Sequence, residues 1–124
     1  MSATTHAASA NITGVDAGSI LTAITCAAGG DAFTPTQNGK ANDYFFINGS
    51  GASITVTLVH QGSPVRVPGL GTVTPADKPL AIAGGATGLF RIEAADLPEY
   101  MDGSGRVNFT YSAVTSLTCF PVAN

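Results

Sequence analysis

The sequence predicts an all-β fold: a single-domain antiparallel β-sandwich, jelly-roll-like, with an extended N-terminal arm. The chain has 124 residues, which suits one compact domain and leaves too little chain for a second core. About seven or eight short segments are rich in β-branched and aromatic residues, and turns rich in Gly and Pro separate them. Only 10% of the residues are charged, which excludes a coiled coil and a charged disordered chain.

The N-terminal part divides into an arm at residues 1–19 and the start of the sandwich domain, which is expected at residues 20–124. The first ten residues are small or polar and cannot bury themselves alone. The segment 20–26 (ILTAITC) follows, and its β-branched side chains favour a strand. The segment 34–42 contains Pro, Asn and Gly, which indicates a loop.

Residues 43–48 (DYFFIN) form an aromatic, β-prone segment that is apolar on both faces. Phe45 and Ile47 lie on one face of the predicted strand, and Tyr44 and Phe46 lie on the other. A strand of this kind is either central in a sandwich or faces a partner chain.

The segment 53–60 (SITVTLVH) is the clearest strand, because Ile54, Val56 and Leu58 alternate with polar residues. The turn before it, residues 48–51 (NGSG), is expected to rely on the positive φ that Asn and Gly accept. The four prolines between residues 61 and 79 predict a long loop with short extended pieces. Later strands are predicted at residues 80–83, 87–93, 106–111 and 115–119, with turns at 94–101 and 102–105.

The ionisable residues give no catalytic, metal or cofactor site. His6 lies in the arm and His60 at a strand end, and neither has a positioned partner in the sequence pattern. Glu93, Asp96 and Glu99 are close in sequence, but the pattern is typical of solvated acids at a surface turn. The histidines and cysteines do not cluster at metal-ligand spacing. We therefore expect a protein that is not an enzyme and that needs no cofactor.

Charge and hydropathy also narrow the range of partners and locations. The chain has five Lys and Arg residues and a net charge of −3, which disfavours nucleic-acid binding. No apolar run reaches the ~18 residues of a membrane span, and the N-terminus lacks the pattern of a secretory signal. Cys26 and Cys119 are therefore expected to be buried free thiols, and a disulfide between them is the alternative if their strands are neighbours.

Apolar residues in predicted loops indicate a surface that is covered in an assembly. Such residues at the rim of a small domain mark interfaces more often than pockets. The alternative is that these loops fold onto their own domain as a satellite of the core. The candidate interface residues are Val65, Val67, Leu70, Leu97, Tyr100 and Met101.

Several segments resemble the decoration, or cement, proteins of tailed bacteriophages. The resemblance is carried by a strand ending in NGSG, by a GG turn before an F-x-I strand, and by a V-x-x-x-Y-S strand. In this chain these features lie within residues 45–57 (FFINGSGASITVT), 80–92 (LAIAGGATGLFRI) and 105–112 (GRVNFTYS), and residues 115–118 (TSLT) follow. The match spans roughly residues 43–118.

The resemblance implies a virion structural protein that binds the outer surface of an icosahedral capsid and stabilises it by bridging major capsid subunits. The expected partners are the major capsid protein and further copies of the chain as a homotrimer, and the expected location is the capsid exterior after assembly in the host cytoplasm. Two alternatives stay open. One is another phage structural module, such as a head-fibre base, a tail component or a receptor-binding domain. The other is a carbohydrate-binding β-sandwich.

Overall fold

Two β-sheets face each other in the computed structural model, which describes residues 4–6, 23–37, 39–61, 65–73 and 76–123. The larger sheet has five strands in the order β1-β3-β10-β5-β8, and the smaller has four in the order β2-β11-β4-β9. A separate two-stranded sheet consists of β6 and β7. Every described pair of strands is antiparallel except β1 and β3. The predicted antiparallel β-sandwich is confirmed.

The strands are short, as the spacing of turn residues predicts. Their bounds are β1 Thr4–His6, β2 Ile24–Thr25, β3 Asp31–Phe33, β4 Asn42–Asn48, β5 Ile54–Leu58, β6 Val65–Val67, β7 Gly71–Val73, β8 Lys78–Ile82, β9 Thr87–Ile92, β10 Val107–Tyr111 and β11 Leu117–Ala123. One short helix, α1, spans Leu97–Tyr100.

An aromatic cluster fills the space between the two sheets. The ring of Phe109, on β10 of the larger sheet, lies 5.0 Å from that of Phe46 and 5.2 Å from that of Phe90 in the smaller sheet. Tyr44 and Phe33 complete the cluster, with ring centroids 5.1 and 5.8 Å from that of Phe109. These separations lie in the range of favourable tilted and edge-to-face aromatic pairs. The cluster therefore joins the two sheets through apolar contacts.

The strand boundaries differ most from the sequence prediction at three places. Residues 31–33 form β3, although Asp31 was expected to end a strand; its carboxylate is buried and hydrogen-bonded, so an acidic residue fits inside the sheet. Strand β11 continues to Ala123, four residues beyond the predicted end. Of the predicted first strand, only residues 24 and 25 are in β2, and residues 20–22 lie outside the described part.

The predicted arm is described only at Thr4–His6. These three residues pair in parallel with Asp31–Phe33 and so add a strand to the edge of the larger sheet. Residues 7–22 lie outside the described part of the chain.

Two connections cross between the sheets side by side, and Asn48 joins them. One runs from β4 to β5 and the other from β8 to β9. The buried Asn48 side-chain amide donates hydrogen bonds to the carbonyl oxygens of Ala52, at 2.7 Å, and Ile82, at 2.9 Å. Its side-chain oxygen accepts from the backbone N–H and the hydroxyl of Ser50. The side chain thus makes four hydrogen bonds, which offset the cost of its burial.

The NGSG turn does not use the backbone conformation that its composition predicts. None of residues 48–51 has a positive φ, so the expectation of positive φ was wrong. The turn is instead held by the Asn48 side chain, which satisfies backbone groups at both ends.

Gly84 is required by close approach of the two connections. A Cβ at this position would lie 2.7 Å from the carbonyl carbon of Gly51 and 2.8 Å from the backbone oxygen of Ser50. Because both contacts are with backbone, we expect Gly84→Ala to lower the free energy of unfolding by about 1–3 kcal/mol, the usual range for overpacking.

Urea denaturation at neutral pH measures this change. Gly103→Ala is the matched control, because a Cβ at Gly103 meets no atom within 4 Å and its φ is not positive. Equal stability of the two variants would contradict the assigned packing of the connections.

Candidate interaction surface

The predicted interface residues around α1 pack onto their own domain. Leu97 is a core residue with 4% of its surface exposed, so its side chain is not available to a partner. Tyr100 and Met101 are half-buried against the same core. The ring of Tyr100 also contacts that of His60 edge-on, with 5.2 Å between centroids. Leu97 therefore belongs to the core, whereas Tyr100 and Met101 keep part of their surface exposed, and a role of these two residues in an interface stays a prediction.

The other predicted interface residues belong to the β6–β7 hairpin. Val65 and Val67 are on β6, and Leu70 lies in the turn that joins the two strands. The Leu70 side chain is 78% exposed, the largest exposure among the large apolar residues described. The structure therefore places three of the six candidates on the β6–β7 hairpin, with Leu70 exposed at its turn, and three on or next to α1. The role of the hairpin in an interface stays a prediction.

A different apolar surface lies on the outer side of the four-stranded sheet. Phe45 of β4 stands between Phe120 of β11 and Leu89 of β9, directly opposite both in the strand registers. Ile47 follows on the same side of β4. Leu89 is 45% exposed and Ile47 36%. We call Phe45, Ile47, Leu89 and Phe120 the outer apolar face.

The outer apolar face has a shallow depression. Its volume is about 280 Å³, and Phe45, Ile47, Thr87 and Phe120 line it. The surface of the depression is apolar. Contiguous exposed apolar surface of this kind is typical of sites where another molecule binds.

An ion pair borders the outer apolar face on one side. Arg91 donates from Nε to Oδ1 of Asp43 at 2.8 Å and from Nη2 to Oδ2 at 2.9 Å, a two-point contact between directly opposite residues of β9 and β4. The Asp43 carboxylate raises the pKa of the Arg91 guanidinium through this hydrogen bond. The Asp43 side chain is 4% exposed, whereas that of Arg91 is 55% exposed. The cation is therefore held over β4 at the rim of the face.

The sequence pattern indicated only half of this surface. Phe45 and Ile47 stood out because both faces of their strand are apolar, and the structure makes β4 a central strand whose second apolar side is exposed. Leu89 and Phe120 were missed. Phe120 lies just beyond the predicted end of the last strand. Extending the alternation of residues 115–119 by one residue would have turned Phe120 to the side opposite Leu117 and Cys119, but only the register of β11 with β4 places it beside Phe45.

A second cluster, buried and polar, contains both cysteines. The Tyr111 hydroxyl donates to Oδ2 of Asp31 at 2.6 Å, and the backbone N–H of Ala27 donates to the same oxygen at 3.1 Å. Cys26 lies within hydrogen-bonding reach of Tyr111. Both Cys26 and Cys119 are buried free thiols, although β2 and β11 are neighbouring strands.

Burial makes these thiols poor nucleophiles. It raises the pKa of Cys26 to about 12 and also raises that of Cys119. A thiol becomes a nucleophile or a metal ligand only when it loses its proton. The cluster is therefore a hydrogen-bonded part of the core, and its geometry does not resemble an activated cysteine.

The cysteines should accordingly resist a thiol reagent in the folded protein. We expect Cys26 and Cys119 to react with an aromatic disulfide reagent at pH 8 at least about a hundredfold more slowly than in urea, because both burial and the raised pKa suppress the thiolate. Absorbance of the released thiolate measures the rates. A fast phase in the folded state would contradict the assigned burial.

Within the described residues, no group of three or more His, Cys, Asp or Glu side chains is arranged to hold a metal ion. Glu93, Asp96 and Glu99 are exposed, in the turn and helix that follow β9. Among the described helices, none has the length and apolar character needed to cross a membrane.

Comparison of the chain with protein-family models, with curated proteins and with solved structures found no match.

Proposed function

We propose that this protein is a virion structural protein that binds the outer surface of an icosahedral phage capsid and stabilises it by bridging major capsid subunits. The observation that carries the proposal is the outer apolar face, which leaves Leu89 and Ile47 substantially exposed on a domain with few charges. The resemblance of residues 43–118 to phage decoration proteins supplies the class of partner. The proposed location is the capsid exterior, and further copies of the chain, as a homotrimer, are the second proposed partner.

The energetics suit a protein that is present in many copies. Complete burial of one large apolar side chain contributes about 1.5–3 kcal/mol. A face of four such residues gives only modest affinity once the cost of association is subtracted. When several copies bind together on a repeating shell, the contacts reinforce one another and weak single contacts become strong.

The chemistry of the face favours a protein partner over a sugar. A carbohydrate needs hydrogen-bond partners beside an aromatic platform. Phe45 and Phe120 provide aromatic rings, but the depression between them is apolar. An apolar depression complements aliphatic or aromatic side chains of another protein.

Binding to capsids tests the proposal. The full-length chain is mixed with expanded capsids assembled from the major capsid protein of the phage that encodes it, and the particles are pelleted. We expect saturable co-sedimentation. The double variant Ile47→Ser/Leu89→Ser should bind at least about tenfold more weakly, because removal of two exposed apolar contacts costs more than about 1.4 kcal/mol.

Leu70→Ser is the matched control, because it removes an exposed apolar side chain on the β6–β7 hairpin. It should bind like the wild type if the outer apolar face makes the contact. Loss of binding by Leu70→Ser alone would move the contact to the hairpin. Absence of binding by the wild-type chain would refute the proposed function, and circular dichroism of each variant verifies that it is folded.

A further inference from the structure

The strand β9 forms one edge of the four-stranded sheet. Its only neighbour in that sheet among the described strands is β4. An edge strand presents a row of unpaired backbone N–H and C=O groups, which can pair with an additional strand. In β9, every second residue bonds to β4 and the residues between them face the open edge. The hydrogen bonds of β4 show which residues are which.

Two hydrogen bonds at the end of β4 show which of its residues bond to β9 and which bond to β11. The N–H of Asn48 donates to the carbonyl oxygen of Ala86 at 3.0 Å, on the β9 side of β4. The N–H of Gly49 donates to the carbonyl oxygen of Ser116 at 2.9 Å, on the β11 side. In an antiparallel sheet the bonded side alternates from residue to residue. Even-numbered residues of β4 therefore bond to β9, and odd-numbered residues bond to β11.

The register between β4 and β9 then shows which residues of β9 are bonded to β4. Residues 88, 90 and 92 pair with the even-numbered residues of β4 and are bonded to it. The backbone groups of Thr87, Leu89 and Arg91 consequently point away from β4, toward the open edge. No described strand lies on that side within the same sheet.

The edge strands β8 and β9 differ in how well their residues block the addition of a further strand. Strand β8, at the edge of the larger sheet, carries Lys78 and Pro79, both exposed. Lysine and proline are the residues that natural proteins use to block strand addition. Strand β9 has neither, and its one charged side chain, Arg91, is paired with Asp43 within the sheet.

We infer that a second copy of this chain pairs with β9 in antiparallel orientation across a two-fold axis at Leu89. The three outward-facing backbone positions, 87, 89 and 91, are symmetric about Leu89. The pairing therefore places Leu89 opposite Leu89 of the second copy and Thr87 opposite Arg91, without opposing like charges at either position. On the inner side Gly88 lies opposite Phe90, so the smallest residue meets the largest.

The strand that pairs with the open edge of β9 is best supplied by a second copy, because this pairing continues the outer apolar face. Phe120, Phe45 and Leu89 form one row across the sheet. The two-fold pairing continues this row through Leu89 of the second copy and so joins two outer apolar faces into one. The inference goes beyond the proposed function: the two-fold contact at β9 is a different contact from the one that would close the proposed homotrimer. It also needs no capsid, so failure to bind capsids would leave the inference intact.

Two variants of opposite charge test the register. In the proposed dimer, Thr87→Glu places an acidic group opposite Arg91 twice, and Thr87→Arg places a basic group there twice. We expect Thr87→Glu to tighten dimerisation and Thr87→Arg to weaken it, each by about three- to tenfold in Kd, with both effects reduced at high salt. Sedimentation equilibrium measures the dissociation constants.

The overall charge of the chain predicts the opposite order. With a net charge of −3, general repulsion between copies would be increased by Thr87→Glu and relieved by Thr87→Arg. The expected order therefore identifies the local pairing with Arg91. The opposite order, or equal effects of the two variants, would overturn the inference.

A cross-linking experiment tests the position of the axis and also detects weak dimers. Because Cys26 and Cys119 are buried, Leu89→Cys introduces one accessible thiol into the described part of the chain. A short bismaleimide should capture a covalent dimer of Leu89→Cys at micromolar concentration. Thr110→Cys, an exposed position on β10 of the other sheet, is the control and should give at least about tenfold less dimer.

Equal cross-linking of Leu89→Cys and Thr110→Cys, or none of Leu89→Cys, would overturn the inference.

Leu89→Pro gives an independent measurement. The substitution removes a backbone N–H that faces the open edge, and it leaves the hydrogen bonds between β9 and β4 in place. It should abolish dimerisation while circular dichroism remains that of a folded sheet. A folded Leu89→Pro that dimerises like the wild type would also refute the proposed pairing.

Discussion

Burial of Tyr44, Phe46 and Asn48 on one side of β4 is the constraint from which the rest of the structure follows. Tyr44 and Phe46 reach across to Phe109 in the facing sheet, with ring centroids 5.1 and 5.0 Å from it. Because side chains alternate along a strand, the same register turns Phe45 and Ile47 outward. The outer apolar face is thus fixed by the core.

Asn48 stabilises the end of the sandwich at which two connections pass between the sheets. The two connections that pass between the sheets there carry carbonyl groups that need hydrogen-bond donors. One amide group serves both, through the carbonyl oxygens of Ala52 and Ile82. The glycine at position 84 allows the connections to approach so closely, because any Cβ would meet backbone atoms. Packing and hydrogen bonding therefore fix the same corner by different means.

The surface properties relevant to function are consequences of this internal order. The apolar face, the ion pair at its rim and the open edge of β9 all lie on the smaller sheet, and they involve neighbouring residues of β4 and β9. The outer side therefore offers two kinds of contact: apolar side chains on its face and backbone hydrogen-bonding groups at its edge. The buried cysteines lie in the core with their pKa values raised by burial.

The sequence by itself determined the fold class, because strand alternation and turn residues are local properties of the chain. It also located the strand of residues 54–58 and the unusual apolar character of both faces of residues 43–48. Phe120 and Leu89 could not be assigned to the same surface, since their proximity depends on strand order and register across distant parts of the chain.

The role of Asn48 was likewise a tertiary property. The composition of the NGSG turn suggested a backbone with positive φ. In the structure, the Asn48 side chain instead donates a hydrogen bond to the carbonyl oxygen of Ile82, 34 residues away. Leu97 was expected at an interface because it is apolar in a predicted turn, and only packing of α1 against the sheets placed it in the core. Local pattern thus specified which residues form strands, and the pairing of those strands decided which apolar residues remained exposed, because exposure depends on neighbours that are distant in sequence.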